Sequence, residues 1–237
     1  MSLRSTYERV SAIFPNNVIS EQILRIERPL LPTASFYTFQ TKQGNGSTDG
    51  PLENLLNDND AFVLLGISIG IKKQNTTTNP QQYGNFQIFT YPDPTYFVGA
   101  PGAGIPTESA ALLSLFNGKL SFRTGSLERI RPIDTSDFLV VPQTQLSAAT
   151  GIAQFGGKMM ESYGFVEMQP TMLLDGQAQN QFRLDIGPTL FTAIDGSWTS
   201  GGAQTVTSRN VVVLRLLGLL VQNGSEAAKQ FAENWKL

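Results

Sequence analysis

Residues 210–224, NVVVLRLLGLLVQNG, contain the longest apolar run of the chain and decide its fold class. The run 211–221 is too short for a membrane-spanning helix, which needs about 20 apolar residues. Arg215 would also cost about 3 kcal/mol at the centre of a bilayer. The consecutive valines are β-branched and Asn223-Gly224 is a turn signal, which is typical of a strand. We predict a central strand buried on both faces, with Arg215 snorkelling or paired near one end.

Alternation of apolar and polar residues predicts further strands. In FVLLGISIGIKK, residues 62–73, the positions Val63, Leu65, Ile67, Ile69 and Ile71 alternate with Gly66, Ser68 and Gly70. This pattern predicts a long strand with one deeply packed face. QFRLDIG and KLSFRTG repeat the alternation. Weaker strand candidates are ILRIER, SFYTFQ, NFQIFTY, DFLVVPQ and YGFVEMQ.

Polar turn sequences separate the strands. TKQGNGSTDGP, KKQNTTTNPQQYGN and DGSWTSGGAQTVTSRN are rich in the Gly, Asn, Asp and Thr residues of exposed loops. We predict an all-β fold, an antiparallel jelly-roll β-sandwich of about eight strands with two short helices. A compact double jelly roll, which needs about sixteen strands, is the alternative.

The two predicted helices have recognisable starts. TESAALLSLFNG has Thr107 as its N-cap and an apolar side made of Leu112, Leu113 and Phe116, and Ser225 caps EAAKQFAENWKL. The chain is thus predicted to comprise an N-terminal arm at 1–20, the jelly-roll sandwich at 21–224 and a C-terminal helix at 225–237. Its start has no apolar core of the signal-peptide kind, so we expect a soluble chain.

The composition excludes several kinds of chemistry. The 237 residues include no cysteine and no histidine, which removes disulfides, thiol nucleophiles and all imidazole catalysis or ligation. Charged residues make up only 15% of the chain, against about 25% in ordinary soluble domains, so its copies repel one another weakly. A net charge of -2 and a pI near 5.2 argue against strong nucleic-acid binding. We predict that the protein is not an enzyme and has no cofactor.

Two motifs invite a ligand-binding interpretation, and each has a plainer one. GAPGAG, residues 99–104, lacks the Lys-Ser/Thr of a phosphate-binding loop, so a loop that contacts a partner is favoured. Asp58 and Asp60 in LLNDNDAF are weak candidates for a cation site. An Asn/Asp turn explains them as well, and no metal site is predicted.

Two further groups favour contacts with a partner. Asp134 and Asp137 have the chemistry of glycosidase carboxylates, but Arg129 and Arg131 lie nearby, and a surface or inter-subunit ion pair is simpler. The aromatic residues of FTYPDPTYF have faces that can stack on a sugar, although core or interface packing is more common. The interface candidates are Tyr91, Tyr96, Phe97, Arg129, Arg131, Phe231 and Trp235.

Three stretches, in this order, resemble a known family. They are DNDAFVLLGISIGI, then TYPDPTYF…ESAALLSLFNGKLSFRTGS with its trailing RPIDTSDFLVVPQTQ, and finally NVVVLRLLGLLVQNG. Together they resemble the jelly-roll major capsid proteins of small tailless icosahedral phages, especially those of environmental bacteria of the Bacteroidetes type. The resemblance covers roughly residues 55–224. It implies a coat subunit whose end loops form the outer surface and the inter-subunit contacts, and it implies no catalytic residues.

The expected function is therefore that of a virion structural protein, a major capsid subunit that self-assembles into an icosahedral shell. Its expected partners are copies of itself, as a trimer or higher oligomer, other virion proteins, and any membrane beneath the shell. The expected location is the virion, assembled in the host cytoplasm. Two alternatives stay open: a carbohydrate- or receptor-binding β-sandwich of a virion spike or fibre, and a histidine-free glycosidase using Asp134, Asp137 or Asp175.

Overall fold

The computed structural model describes residues 3–31, 33–42, 53–75, 88–94, 96–97, 107–141, 144–146, 153–155, 164–187 and 208–234. The strands are β1 (Ile19–Pro29), β2 (Phe36–Gln40), β3 (Ala61–Asn75), β4 (Lys119–Thr124), β5 (Leu127–Asp134), β6 (Thr144–Leu146), β7 (Ala153–Phe155), β8 (Val166–Asp175), β9 (Asn180–Asp185) and β10 (Ser208–Val221). The helices are α1 (Leu3–Ile13), α2 (Glu108–Leu112) and α3 (Ser225–Asn234), with 3-10 turns at Leu113–Phe116 and Thr135–Phe138.

The strands form two antiparallel four-stranded sheets. Sheet A has the order β1-β10-β3-β8, sheet B has the order β2-β9-β4-β5, and β6 and β7 form a separate hairpin. Four pairings are nested along the chain: β1 with β10, β2 with β9, β3 with β8, and β4 with β5. Rolling this long double ribbon brings β10 beside β3 and β9 beside β4, which is the jelly-roll topology. The predicted jelly-roll sandwich is confirmed, and the described strands form one roll.

The two ends of the sandwich carry different connections. Because the pairings in both sheets are antiparallel, successive connections leave from opposite ends. The long-loop end carries the connections 30–35, 76–118, 135–165 and 186–207. The short-loop end carries 41–60, 125–126 and 176–179, together with the chain segments that lead from α1 and into α3. The connections that begin and end at the long-loop end are therefore longer in total sequence than those that begin and end at the other.

The main core fills the space between the sheets. In β9 the buried residues Phe182 and Leu184 alternate with half-buried Arg183 and Asp185, as the sequence predicts. The ring of Phe182 packs 4.5 Å, centroid to centroid, from that of Phe122 on β4. Sheet B therefore has one apolar and one polar face, which is the usual arrangement for an antiparallel sheet.

A β-bulge in β3 overturns the predicted single packed face of that strand. The pairing register of β3 shifts between Leu64 and Gly66. The residues beyond the bulge, Ile67, Ile69 and Ile71, lie in the main core, whereas Val63 and Leu65 before it lie in or against a second cluster. One extra residue reverses the side that alternate side chains face. The prediction that all five share one face is therefore wrong.

This second apolar cluster lies on the outer face of sheet A near the short-loop end. Val10 of α1, Phe14 directly after it and Ala228 of α3 pack there with Leu219 and Val221 of β10. Residues 1–20, predicted as an arm, thus contain a helix docked on the sandwich. This helix was not predicted, because Val10 is the one buried apolar side chain among the described side chains of α1, and its apolar pattern is therefore weak.

Strand β10 is buried on both faces, as predicted. Val211, Val212, Val213 and Leu214 are each at most 1% exposed. Arg215 lies in the middle of the strand, opposite Arg25 of β1 and Ser68 of β3. The prediction that it lies near one end of the strand is therefore wrong.

The helix predictions are confirmed in part. Thr107 caps α2, since its hydroxyl accepts a hydrogen bond from Ala110 N at 3.3 Å. Leu113 was predicted to be buried but is 46% exposed, because the chain tightens into a 3-10 turn after α2 and the side-chain spacing changes. Ser225 is the first residue of α3, so the position before the helix belongs to Gly224, and the Ser225 hydroxyl donates to Asp175.

Two of the weaker strand candidates differ in the structure. The described part of DFLVVPQ, residues 137–141, is not a strand, and its first residues complete the 3-10 turn Thr135–Phe138. In NFQIFTY, residues 85–87 lie outside the described ranges, and Phe89 makes an isolated bridge to Ile71. The strand β5 was not predicted, since LERIRPID places exposed charges and a proline on a sheet edge.

Candidate interaction surfaces

Asp58 and Asp60, the weak candidates for a cation site, form an ion pair and hydrogen bonds with other residues of the protein. Asp58 Oδ1 lies 3.2 Å from Lys42 Nζ. The carboxylate of buried Asp60 accepts hydrogen bonds from Asn57 Nδ2 at 3.2 Å and from the backbone N–H of Asn223 at 2.9 Å. Among the described residues, no three His, Cys, Asp or Glu side chains are grouped to hold a metal ion. Asp60 instead joins the turn before β3 to the turn after β10.

Two of the three candidate glycosidase carboxylates, Asp134 and Asp175, accept hydrogen bonds from protein groups. Asp134 Oδ1 accepts a hydrogen bond from Ser136 N at 2.8 Å, and this bond lowers the pKa of Asp134 below its ordinary value. Asp137 lies exposed in the 3-10 turn that Asp134 caps. Asp175 accepts a hydrogen bond from the Ser225 hydroxyl at the start of α3. A catalytic acid needs a raised pKa, whereas the pKa of Asp134 is shifted in the opposite direction.

The aromatic interface candidates pack around Phe89. Its ring centroid lies 4.7 Å from that of Tyr96, 5.5 Å from that of Phe97 and 6.1 Å from that of Tyr91. Phe97 is 1% exposed, so its ring belongs to the core of the protomer and offers no surface to a partner. Tyr91 and Tyr96 are half-buried against the same core. Burial and the nearby carboxylate of Glu108 raise the pKa of Tyr96.

Of the four remaining interface candidates, only Arg129 has a side chain within the part of the chain that the structure describes. Arg129 is exposed on β5, the edge strand of sheet B. The side chains of Arg131 and Phe231, and the whole of Trp235, lie outside the described part of the chain. The glycine-rich stretch 99–104 lies outside it as well.

The outer face of sheet B is polar and close to neutral. The residues that share this face across its strands include Thr38, Arg183 and Ser121 in one row, with Gln40, Gln181, Arg123 and Glu128 in another. Arg183 donates to Asp185 at 2.8 Å, and its guanidinium lies 4.3 Å from the ring centroid of Phe36. Charges of both signs lie close together, so this face creates little long-range repulsion between copies.

The open edges of both sheets carry features that oppose strand addition. β2 has only 5 residues, and Pro132 of β5 and Pro170 of β8 lack a backbone N–H. The edge of β1 is covered at Arg25, whose backbone exchanges two hydrogen bonds of 2.9 Å with Asn54. Short strands, prolines and covered edges disfavour uncontrolled edge-to-edge pairing. Association through these edges would therefore be limited, and contacts through side chains and loops are favoured.

Large apolar side chains are exposed at both ends of the sandwich. At the long-loop end these are Leu31 (53%), Phe36 (47%), Leu113 (46%), Leu139 (37%) and Val141 (63%). Elsewhere they are Tyr7 (45%), Ile13 (39%), Val18 (63%) and Leu127 (58%), on α1 or at the short-loop end, and Ile23 (38%) on the edge strand β1. Contiguous apolar patches mark surfaces that other molecules cover, and exposed apolar side chains at the same end of the sandwich are candidates for such patches. Sequence analysis could not find them, because only the tertiary fold separates them from the core.

A group of charged residues lies on the outer face of sheet A, on three neighbouring strands. Glu27 of β1 pairs with buried Lys72 of β3, with Oε2 2.5 Å from Nζ, and with Arg25, with Oε1 2.6 Å from Nη2. Arg25 lies opposite Arg215 in the pairing of β1 with β10. The sequence indicated this group only weakly, through Lys72 in β3 and Arg215 in β10, each a single charge within a largely apolar strand.

Among the described residues, no helix combines the length and apolar character required to cross a bilayer. Comparison of the chain with protein-family models, with curated proteins and with solved structures finds no match.

Proposed function

We propose that the chain is a capsid subunit, the major coat protein of a small icosahedral phage, which acts by symmetric self-association. The observation that carries the proposal is the exposure of large apolar side chains at both ends of one jelly-roll sandwich. Leu31, Phe36 and Val141 lie at the long-loop end, and Leu127 lies at the opposite end. A subunit of a closed shell needs several contact surfaces in different directions, whereas a monovalent binding module needs one.

The chemistry of the surface supports the same proposal. Strand edges that resist addition favour closed assemblies over fibres. The close spacing of opposite charges on the outer face of sheet B, such as Arg183 and Asp185, lets copies approach one another with little repulsion. The jelly roll is also a common architecture of viral capsid domains, and this analogy at the level of the fold supports the same function.

The receptor-binding alternative has less support. The features that favour it are Tyr91 and Tyr96, whose rings can stack on a sugar, and the turn that contains Asp58 and Asp60. The two tyrosines pack partly against the core, and both carboxylates have protein partners. We therefore propose the assembly function alone.

The test is the mass of the purified protein in solution, measured by multi-angle light scattering over a wide concentration range, with negative-stain imaging of the same fractions. Trimers, pentamers, hexamers or closed shells are expected. A strict monomer at every concentration would contradict the proposal and favour the alternative of a receptor- or carbohydrate-binding module.

A further inference from the structure

We propose that the middle of the outer face of sheet A binds a single oxyanion, a phosphate or carboxylate group, between Arg25 and Arg215. The two arginines are direct partners in the register of β1 with β10, and Ser68 of β3 follows in the same row. Three neighbouring strands thus place two arginines and a serine side by side in one row of the sheet.

Arg215 is the central residue of this arrangement. Its Nη2 donates to Ser68 Oγ at 2.8 Å, and its guanidinium lies 4.9 Å from the ring centroid of Phe165. Its Nε is buried without a hydrogen-bond partner. Within the described ranges, no carboxylate lies within ion-pair distance of it. A partly buried cation with an unused donor is costly unless an anion offsets its charge.

The charges around Arg215 increase this cost. Among the described carboxylates, Glu27 is the one that forms ion pairs near Arg215, and it is shared between Arg25 and Lys72. Glu27 is thus already paired, while Arg25 and Arg215 lie directly opposite each other. Like charges directly opposite each other in a sheet are destabilising. Consistent with this geometry, burial and the charge of Arg25 lower the pKa of Arg215.

An oxyanion is the class of ligand that these groups recognise. A guanidinium presents donors in a planar fork that matches carboxylate and phosphate oxygens. The Ser68 hydroxyl accepts from Arg215, so its own proton is available to a ligand oxygen. The side chain of Arg25 is 25% exposed, which gives the site a side that faces solvent. Binding would offset the repulsion between the two arginines.

This inference does not rest on assembly, because the arrangement lies within one protomer. Inorganic phosphate and acetate are the probes, and melting temperature is measured by differential scanning fluorimetry at constant ionic strength, with chloride replaced by the probe. We expect phosphate to raise the melting temperature of the protein, by about 3 to 6 °C for each tenfold increase above its dissociation constant.

Arg215→Met fills the same volume without charge and should abolish this rise, even if it makes the protein more stable in chloride. Arg25→Gln, on the half-exposed edge, should weaken binding about tenfold or more and serves if Arg215→Met does not fold. The matched control is Arg129→Met, which removes an exposed arginine of sheet B and should keep the full response.

The two probes separate the sources of the ligand. A larger rise with phosphate than with acetate assigns a phosphate, and an equal rise assigns a carboxylate of a protein partner. If neither probe raises the melting temperature, or if Arg215→Met responds as strongly as the unmodified protein, Arg215 is structural and the inference is wrong.

Discussion

Lys73 Nζ lies 3.1 Å from Glu108 Oε2, and this ion pair joins the central strand β3 to α2 in the long connection between β3 and β4. Glu108 is 2% exposed, and its other oxygen accepts a hydrogen bond of 2.7 Å from Asn210 Nδ2 of β10. Lys73 Nζ also lies 5.6 and 5.4 Å from the ring centroids of Tyr96 and Phe97. One buried carboxylate thus connects two strands of sheet A to the loop segment packed at their ends.

Replacing Glu108 with alanine should lower the free energy of unfolding by about 3 to 5 kcal/mol, because Lys73 and Asn210 lose a shared buried partner. The matched control is Glu226→Ala. Glu226 pairs with Lys229 but its side chain is 76% exposed, so its loss should change stability by less than about 0.5 kcal/mol. Urea unfolding measures both variants. Similar effects of the two substitutions would contradict the structural role of Glu108.

The raised pKa of Tyr96 predicts a loss of stability at alkaline pH. The tyrosine is neutral in both states below about pH 9 and contributes no pH dependence there. Above its unfolded pKa near 10, the unfolded chain loses a proton that the folded protein keeps, so stability falls as the pH rises toward the folded pKa.

Tyr96→Phe should remove this part of the alkaline loss. Lys72 has a pKa lowered by burial, and its contribution has the opposite sign, since stability rises with pH up to about 10.5. The contribution of Lys72 is the same in the unmodified protein and in Tyr96→Phe. The measurement is therefore the difference in melting temperature between these two proteins from pH 8 to about pH 11. If the difference between the two proteins is constant over this range, Tyr96 does not titrate as inferred.

Gly218 and Gly66, which lie at the bulge between β3 and β10, should respond differently to alanine. A Cβ at Gly218 would lie 2.2 Å from the carbonyl oxygen of Val63 and 2.6 Å from the ring of Phe62. A Cβ at Gly66 would meet its nearest neighbours, Phe165 Cβ and the Val166 oxygen, at 3.4 Å, which a small adjustment accommodates.

Gly218→Ala should therefore cost about 1 to 3 kcal/mol or more, whereas Gly66→Ala should change stability by less than about 1 kcal/mol. Chemical unfolding monitored by tryptophan fluorescence and circular dichroism measures both. A larger loss for Gly66→Ala than for Gly218→Ala would contradict the close packing inferred at Gly218.

Aspartate at either end of the sandwich should weaken assembly. Leu127 and Val141 are 58% and 63% exposed, so Leu127→Asp and Val141→Asp should fold normally, with melting temperatures near that of the unmodified protein. Each should raise the concentration for half-assembly about tenfold or more, because a charge must lose water in a contact that excludes it.

Gln179→Glu is the control for the charge itself. Gln179 lies exposed in the 176–179 turn at the short-loop end, so this change adds a negative charge there without removing apolar surface. Its assembly, followed by light scattering, should stay close to that of the unmodified protein. If Gln179→Glu impairs assembly as much as Leu127→Asp, net charge and not apolar contact controls association.

The sequence by itself determined the fold class and the central strand. Period-two alternation with polar turns predicts a β-sandwich, and the apolar run 211–221 predicts a strand with both faces buried; both predictions are confirmed. These features depend on local periodicity and on hydrophobicity, which are properties of the chain alone.

Only the tertiary structure decided which face each residue occupies and which charges meet. The bulge after Leu64 reverses the faces of β3, and a bulge depends on the register of the neighbouring strands as well as on its own sequence. The same holds for Arg215 and Arg25. They are far apart in sequence, and they become opposite neighbours because the jelly roll pairs the first strand with the last.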